Sequence, residues 1–181
     1  MVRNLCRMGN PVLRLVAAEV SKAELKTDSF RQLLVDMNDS MKHYGGIGIA
    51  APQIGDSRQV ALIELEGTNR YGEVLDLPLT TFINPKLELL TPELQGFWEG
   101  CLSVPGLRGF VERPKKLKVS FMDETGAARE IIAEGFLATV IQHELDHLFG
   151  VLYVDRIRDP KLLSYQEEFE TFIQSDEPEL D

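Results

Sequence analysis

The period of the apolar positions changes along the chain, and each change marks an element. Between Asp28 and about His43, Phe30, Leu33, Leu34, Met37 and Met41 recur at helical spacing and form one stripe. Thr27 or Asp28 can cap the start of this helix, and Gly45-Gly46 ends it. Asn10-Pro11 reads as a turn, because proline drives the residue before it out of the helical region. Gly46 to Gln53 alternates small residues with isoleucine, which suits a short strand open to close approach by another backbone. Val60–Leu65 is a second strand, and Glu66 to Leu77, with Gly67, Asn69 and Gly72, reads as a loop or loose hairpin. Thr80–Asn84 is a strand ended by Pro85, and Lys86 to Leu90 can continue the sheet after that break. Lys116–Met122 and Ala128–Ala133 flank Asp123-Glu124-Thr125-Gly126 as a hairpin. A helix follows from Phe136 to Phe149, with Gly150 at its C′ position, and Val151–Val154 reads as a strand. From Pro160 to Asp181 the chain carries seven acidic residues and one lysine. Phe169 and Phe172 are placed to pin a short helix there before a frayed end.

Composition narrows this picture only slightly. At 181 residues, one domain is expected, over 1–160, with a short acidic tail over 161–181. No apolar run reaches the ~20 residues of a membrane helix, and the first residues lack the long apolar core of a secretory signal. A cytoplasmic protein without membrane contacts is therefore expected. A formal net charge of −10 speaks against direct nucleic-acid binding, which needs a basic face. The two cysteines, Cys6 and Cys101, suit metal or catalytic duty better than a structural bridge in such a chain.

The second helix carries the candidate chemistry. His143 and His147 stand four residues apart, so both imidazoles lie on one face and can reach one ion. Phe136, Val140, His143 and His147 follow an i, i+4, i+7, i+11 pattern, which makes the histidines a continuation of an inward-facing stripe. Glu144 is turned about 100° from His143, beside such an ion and able to serve as general base. The alternative is a solvated helix whose charged residues merely fit the spacing.

A catalytic site of this kind needs a third protein ligand and one open position. The extended pattern H-E-x-x-H-x-x-G-x-x-H finds its glycine at Gly150 but fails at Tyr153. Cys101, in the crowded stretch Gly96-Phe-Trp-Glu-Gly-Cys-Leu-Ser-Val-Pro-Gly106, becomes the best candidate, although a cysteine there is also read as a small buried hydrophobe. Gln53 has an amide able to donate to a developing oxyanion. His43, in the last turn of the first helix, is a weak candidate for metal binding.

Three stretches occur in this order: Gly46-Ile-Gly-Ile-Ala-Ala-Pro-Gln53, Glu99-Gly-Cys-Leu-Ser103 and Gln142-His-Glu-Leu-Asp-His147. Together they resemble the peptide deformylases, and the resemblance runs from Asn10 to about Asp155. It implies an α+β fold with mixed or antiparallel sheets wrapped around a central HExxH helix. It also implies removal of the formyl group from the N-terminal formyl-methionine of new polypeptides, with release of formate. The implied metal is Fe(II), for which Ni, Co or Zn can substitute, held by Cys101, His143 and His147. By the same resemblance Glu144 is general base and then general acid, and Gln53 and the Leu102 backbone N–H stabilise the oxyanion. Gly46, Ile47 and Gly48 would pair with the substrate as an added strand. Phe136, Val140 and Ile47, with Thr139 at the edge, are candidates for the methionine pocket. Arg108 and Glu99 are each either a substrate contact or a member of a structural ion pair.

Trp98 and Val104-Pro-Gly-Leu-Arg-Gly109 look more like the organellar and related proteobacterial branch, type I-A, than the commonest bacterial one. The implied partners are N-formylmethionyl nascent peptides, with transient ribosome association. A short acidic tail argues against docking there through a basic C-terminal helix. Two other readings compete. An ordinary metallopeptidase predicts a His, Glu or Asp third ligand, and a non-catalytic scaffold predicts loss of Glu144 or Gln53. Both of those residues are present.

Overall fold

Why the apolar pattern of Val60–Leu65 is continuous becomes clear once its strand is seen to be covered on both faces. The computed structural model describes residues 1–68 and 74–174. Strand β2 (Val60–Thr68) lies in an antiparallel five-stranded sheet of order β1-β2-β3-β6-β7. The others are β1 (Gly48–Ala50), β3 (Val74–Leu89), β6 (Lys116–Met122) and β7 (Ala128–Glu134). Val60 and Leu62 point to helix α1 (Asp28–His43), meeting Phe30, Leu33, Met37 and Met41 in one cluster. Ala61, Ile63 and Leu65 point the other way, to Ile141, Leu145 and Leu148 of helix α2 (Gly135–Leu148). Alternation puts successive side chains on opposite faces, so two covered faces demand apolar residues at every position.

A second, three-stranded antiparallel sheet of order β4-β5-β8 lies against α2. It comprises β4 (Leu94–Cys101), β5 (Val104–Pro114) and β8 (Leu163–Tyr165). The chain is thus α+β, with α2 held between two sheets. None of the described helices is long and apolar enough to cross a membrane.

Several expected boundaries move. Glu66, Gly67 and Thr68 are ladder residues opposite Asp76, Leu75 and Val74, so the expected loop is largely a continued hairpin. Asn69 and Gly72 lie outside the described residues. Pro85 does not end its strand. β3 passes through it as a bulge, with the register to β6 shifting between Ile83 and Lys86, where a missing N–H costs no ladder bond. Asn84 takes φ 49 there, and its amide bonds both the N–H and the C=O of Val20 at 2.8 Å. Val151–Val154 is not a strand either, since Tyr153–Arg156 forms a 3-10 turn. Asp155 accepts from the Leu152 N–H at 2.8 Å and pairs with Arg14, which makes the turn the better-satisfied conformation. Beyond Pro160, β8 joins β5, and a helical segment buries Phe169 completely while Phe172 stays exposed.

Candidate active site

The expected one-sided stripe on α2 is instead a helix buried all round: every residue from Ala138 to Leu148 is buried. Six of them are polar, and buried polar groups need partners. Gln142 donates to the Ala138 and Pro114 carbonyls, both at 3.0 Å. Asp146 accepts from Arg113 at 2.8 Å and from Arg156 at 2.5 and 2.6 Å. His143 Nδ1 meets Glu99 Oε2 at 2.7 Å, and His147 Nε2 meets Cys101 Sγ at 3.3 Å. Two buried polar atoms of this helix lack a partner, Glu144 Oε2 and His147 Nδ1.

Cys101 ends β4, and the turn Leu102-Ser103 returns the chain into β5, with Cys101 opposite Val104. This hairpin brings the thiol to α2. The ligand atoms of Cys101, His143 and His147 all lie within 4.8 Å of one another. On a tetrahedral ion, bonds of about 2.3 Å to sulfur and 2.0–2.1 Å to nitrogen put the donors roughly 3.5 Å apart. One thiol and two imidazoles at this spacing fit a divalent transition metal. This is the one such group found among the described residues, and His43 is not part of it.

Electrostatics support that fit. Burial drives the His147 imidazole well below its ordinary value, and the charges of His143 and Arg113 push the same way, leaving a neutral ring with a lone pair to offer. Burial also disfavours charge on His143, but the Cys101 sulfur and the Glu99 carboxylate outweigh it and raise this imidazole. An incoming ion would replace that proton. Burial likewise raises Glu99, yet hydrogen bonds from His143 and Arg113 prevail and hold it below the ordinary carboxylate range. Glu144 has no such compensation. Burial lifts it to about 7, with Glu99 adding to the rise and His143 and Arg113 opposing it.

Gln53 comes from a 3-10 turn (Ala51–Ile54) that directly follows β1. Its Oε1 accepts the Ala50 N–H at 2.8 Å. A backbone N–H only donates, so this bond fixes which end of the amide is oxygen and turns the NH2 toward the site. That NH2 lies 3.3 Å from Ser103 Oγ and 3.5 Å from Cys101 Sγ. Gly48 supplies a different fit, because a Cβ there would stand 2.6 Å from Glu144 Oε1. Only a glycine leaves the carboxylate its place.

A cleft of about 460 Å³ opens over these groups. Gly46, Ile47, Gly48, Gln53, Cys101, Leu102, Arg108, Phe136, Val140, His143 and Glu144 all line it, as does Thr139. His147 stands behind, almost fully buried. The two unsettled residues both line the cleft, and Glu99 is in addition bound in the buried pair with Arg113, at 2.6 and 3.0 Å.

Arg113, Asp146, Tyr153 and Gln166 were missed from sequence. Arg113 is 2% exposed and joins Glu99 to Asp146; Tyr153 stacks on His143 with ring centroids 6.0 Å apart and 22° between planes. An arginine between the apolar Val111 and Leu117 hints at a buried partner, but nothing local says which carboxylates it meets.

Residues 2–162 match the family model of the polypeptide deformylases. The chain is 46% identical over 171 residues to the peptide deformylase of Leptospira biflexa, covering 94% of this chain and 96% of the relative. It is 44% identical over 167 residues to peptide deformylase 1 of Bordetella pertussis, with 92% and 94% covered. Its fold matches the Met-Ala-Ser-bound crystal structure of the class I type b peptide deformylase from Acinetobacter baumannii. The TM-score is 0.82 at 37% identity, with 87% of this chain and 99% of that one covered. In sequence over nearly its whole length and in fold, the chain belongs to the polypeptide deformylase family.

Proposed function

We infer that the protein removes the formyl group from N-formylmethionyl polypeptides by hydrolysis, releasing formate and a free α-amine. Beside family membership, the observation that carries this reading is Glu144, a buried carboxyl whose Oε2 has no partner, next to a Cys-His-His donor set.

Cys101, His143 and His147 would hold the ion, which when bound supplies Lewis-acid activation of water and carbonyl. Gly46, Ile47 and Gly48 present the β1 end to the peptide, whose backbone pairs there as an added strand. Phe136, Val140 and Ile47 receive the methionine side chain, and Thr139 borders them. Glu144 takes a proton from the attacking water on its unpartnered carboxylate oxygen. A group with pKa near the working pH gives that proton up again, so Glu144 then delivers it to the leaving nitrogen. Negative charge developing on the formyl oxygen is met by the Gln53 NH2 and the Leu102 N–H, each worth about 3 kcal/mol by analogy with other such donors. Glu99, fixed by Arg113, holds the His143 ring and its tautomer.

Fe(II) is the proposed ion on the strength of the resemblance, with Ni, Co or Zn able to use the same donors; affinity alone would favour zinc over ferrous iron. The proposed setting is cytoplasmic, on nascent chains and in transient contact with the ribosome, without nucleic-acid or membrane binding. The catalytic unit is taken as residues 1–160. Trp98 and the 104–109 stretch support a place in the organellar and proteobacterial type I-A branch.

Formate release from formyl-Met-Ala-Ser tests the reading, with anaerobically purified protein loaded with Fe(II), Ni(II) or Zn(II). Fast turnover with iron or nickel and slow turnover with zinc is expected. Turnover with zinc alone would overturn the iron assignment, and no formate with any bound metal would overturn the reaction.

A further inference from the structure

The chain beyond Leu162 lies outside the stretch matched by the family model, yet it reaches the cleft. β8 pairs with β5 so that Ser164 stands opposite Arg108, and the chain then carries Gln166 to the cleft wall. Gln166 Oε1 accepts from Arg108 Nε at 2.5 Å, and its amide nitrogen donates to Glu170. An arginine Nε only donates, so this bond fixes the orientation of the Gln166 amide. Three residues on, Phe169 is fully buried against Trp98, with ring centroids 5.0 Å apart. The segment is therefore anchored on both sides of Gln166.

The Arg108 guanidinium packs closely against the backbone one residue before Cys101. A Cβ on Gly100 would stand 2.4 Å from its Nη1 and 2.8 Å from its Cζ. This places a cation at the cleft wall of a chain whose formal net charge is −10. The planar fork of a guanidinium matches a carboxylate better than it matches any other peptide group.

We propose that Gln166 is a positioning residue that holds the Arg108 guanidinium over Gly100. Through this bond the C-terminal segment sets a preference for formylated peptides that carry a carboxylate close behind the methionine. The inference rests on the deformylase reading above. The carboxylate has two sources: the terminus of a short peptide or the side chain of its second residue.

Steady-state kinetics of the metal-loaded enzyme test this on two matched pairs. One pair is formyl-Met-Ala-Ser and its C-terminal amide; the other is formyl-Met-Glu-Ser-amide and formyl-Met-Gln-Ser-amide. Gln166→Ala should raise KM about three- to fivefold for the carboxylate member of at least one pair, the size expected of a partly exposed ion pair. Its kcat and the KM of the neutral member should stay unchanged, and the affected pair identifies the source. Arg108→Ala should abolish the same preference, and the double variant should add nothing further, since both act through one guanidinium. Equal KM changes for acidic and neutral peptides, a fall in kcat or bound metal, or additive effects would make Gln166 merely structural and overturn the proposal. So would unchanged KM throughout. Absence of turnover by the wild type on all four peptides would instead overturn the deformylase reading beneath it.

Discussion

Glu144 bears an electrostatic conflict: it is a carboxyl at the centre of a buried helix with one oxygen unpartnered. A structural carboxyl in that place would be paired, as Asp146 is one turn away from His143 and on two arginines. Glu144→Gln keeps the shape and removes the base. It should bind metal normally and lose turnover by about 10²–10⁴-fold; metal analysis beside formate release decides, and near-normal turnover would remove Glu144 from the mechanism. Gly48→Ala probes the same carboxylate from the strand side. Its Cβ would stand 2.6–2.7 Å from Glu144 side-chain atoms, so the carboxylate must shift. Metal content should hold while kcat falls on the order of 10²-fold, as a displacement of about 1 Å in a catalytic group can cost. A Gly48→Ala enzyme with unaltered kcat would show the fit to be unimportant.

Among the elements, the least expected one is the chain after Pro160. Composition marks it as an acidic tail, and residues 175–181 lie outside the described part, but Leu163–Tyr165 adds a strand and Phe169 fills a core position against Trp98. Truncating a fully buried phenylalanine to alanine costs about 3–5 kcal/mol. Phe169→Ala should therefore lower the urea midpoint of unfolding by that amount of stability, whereas Phe172→Ala, at a position 65% exposed, should stay within about 0.5 kcal/mol. Equal, small effects from both would return this segment to the status of a tail.

Over the whole molecule, a chain of charges buried from His143 through Glu99 and Arg113 to Asp146, and reaching the exposed Arg156, ties α2 to the smaller sheet. Glu99 is held below its ordinary value of 4.5 when folded. A depressed carboxyl contributes stability that is present above that value and lost as pH falls through the folded one. Metal-free protein should thus lose stability progressively below about pH 4.5. Glu99→Gln, already destabilised at neutral pH, should show a shallower acid slope. Chemical unfolding of both proteins from pH 7 to pH 3 makes the comparison, and parallel slopes would count against this source of acid sensitivity.

Local pattern sufficed wherever the physics is local. The period of Phe30 to Met41, the capping residue Thr27, the hairpin about Asp123–Gly126 and the four-residue spacing of His143 and His147 depend on neighbours in sequence, and the structure follows them. Ligand counting also led from those histidines to Cys101, because metal chemistry limits the donors that can complete such a set. Tertiary structure decided the rest. Pro85 stays in its strand because a bulge and the Val20 backbone accommodate Asn84. Val151–Val154, though apolar enough for a strand, yields to a turn in which Asp155 accepts the Leu152 N–H. Arg113, Tyr153 and Gln166 reach the site from strands and turns remote in sequence, through burial and hydrogen bonds that no local period encodes. The sequence by itself determined the family likeness and the candidate donor set, since these rest on residue type, motif spacing and the number of ligands a metal needs. Only the packed fold decided which charges surround that set and which residues line the cleft above it, since those depend on distances between elements.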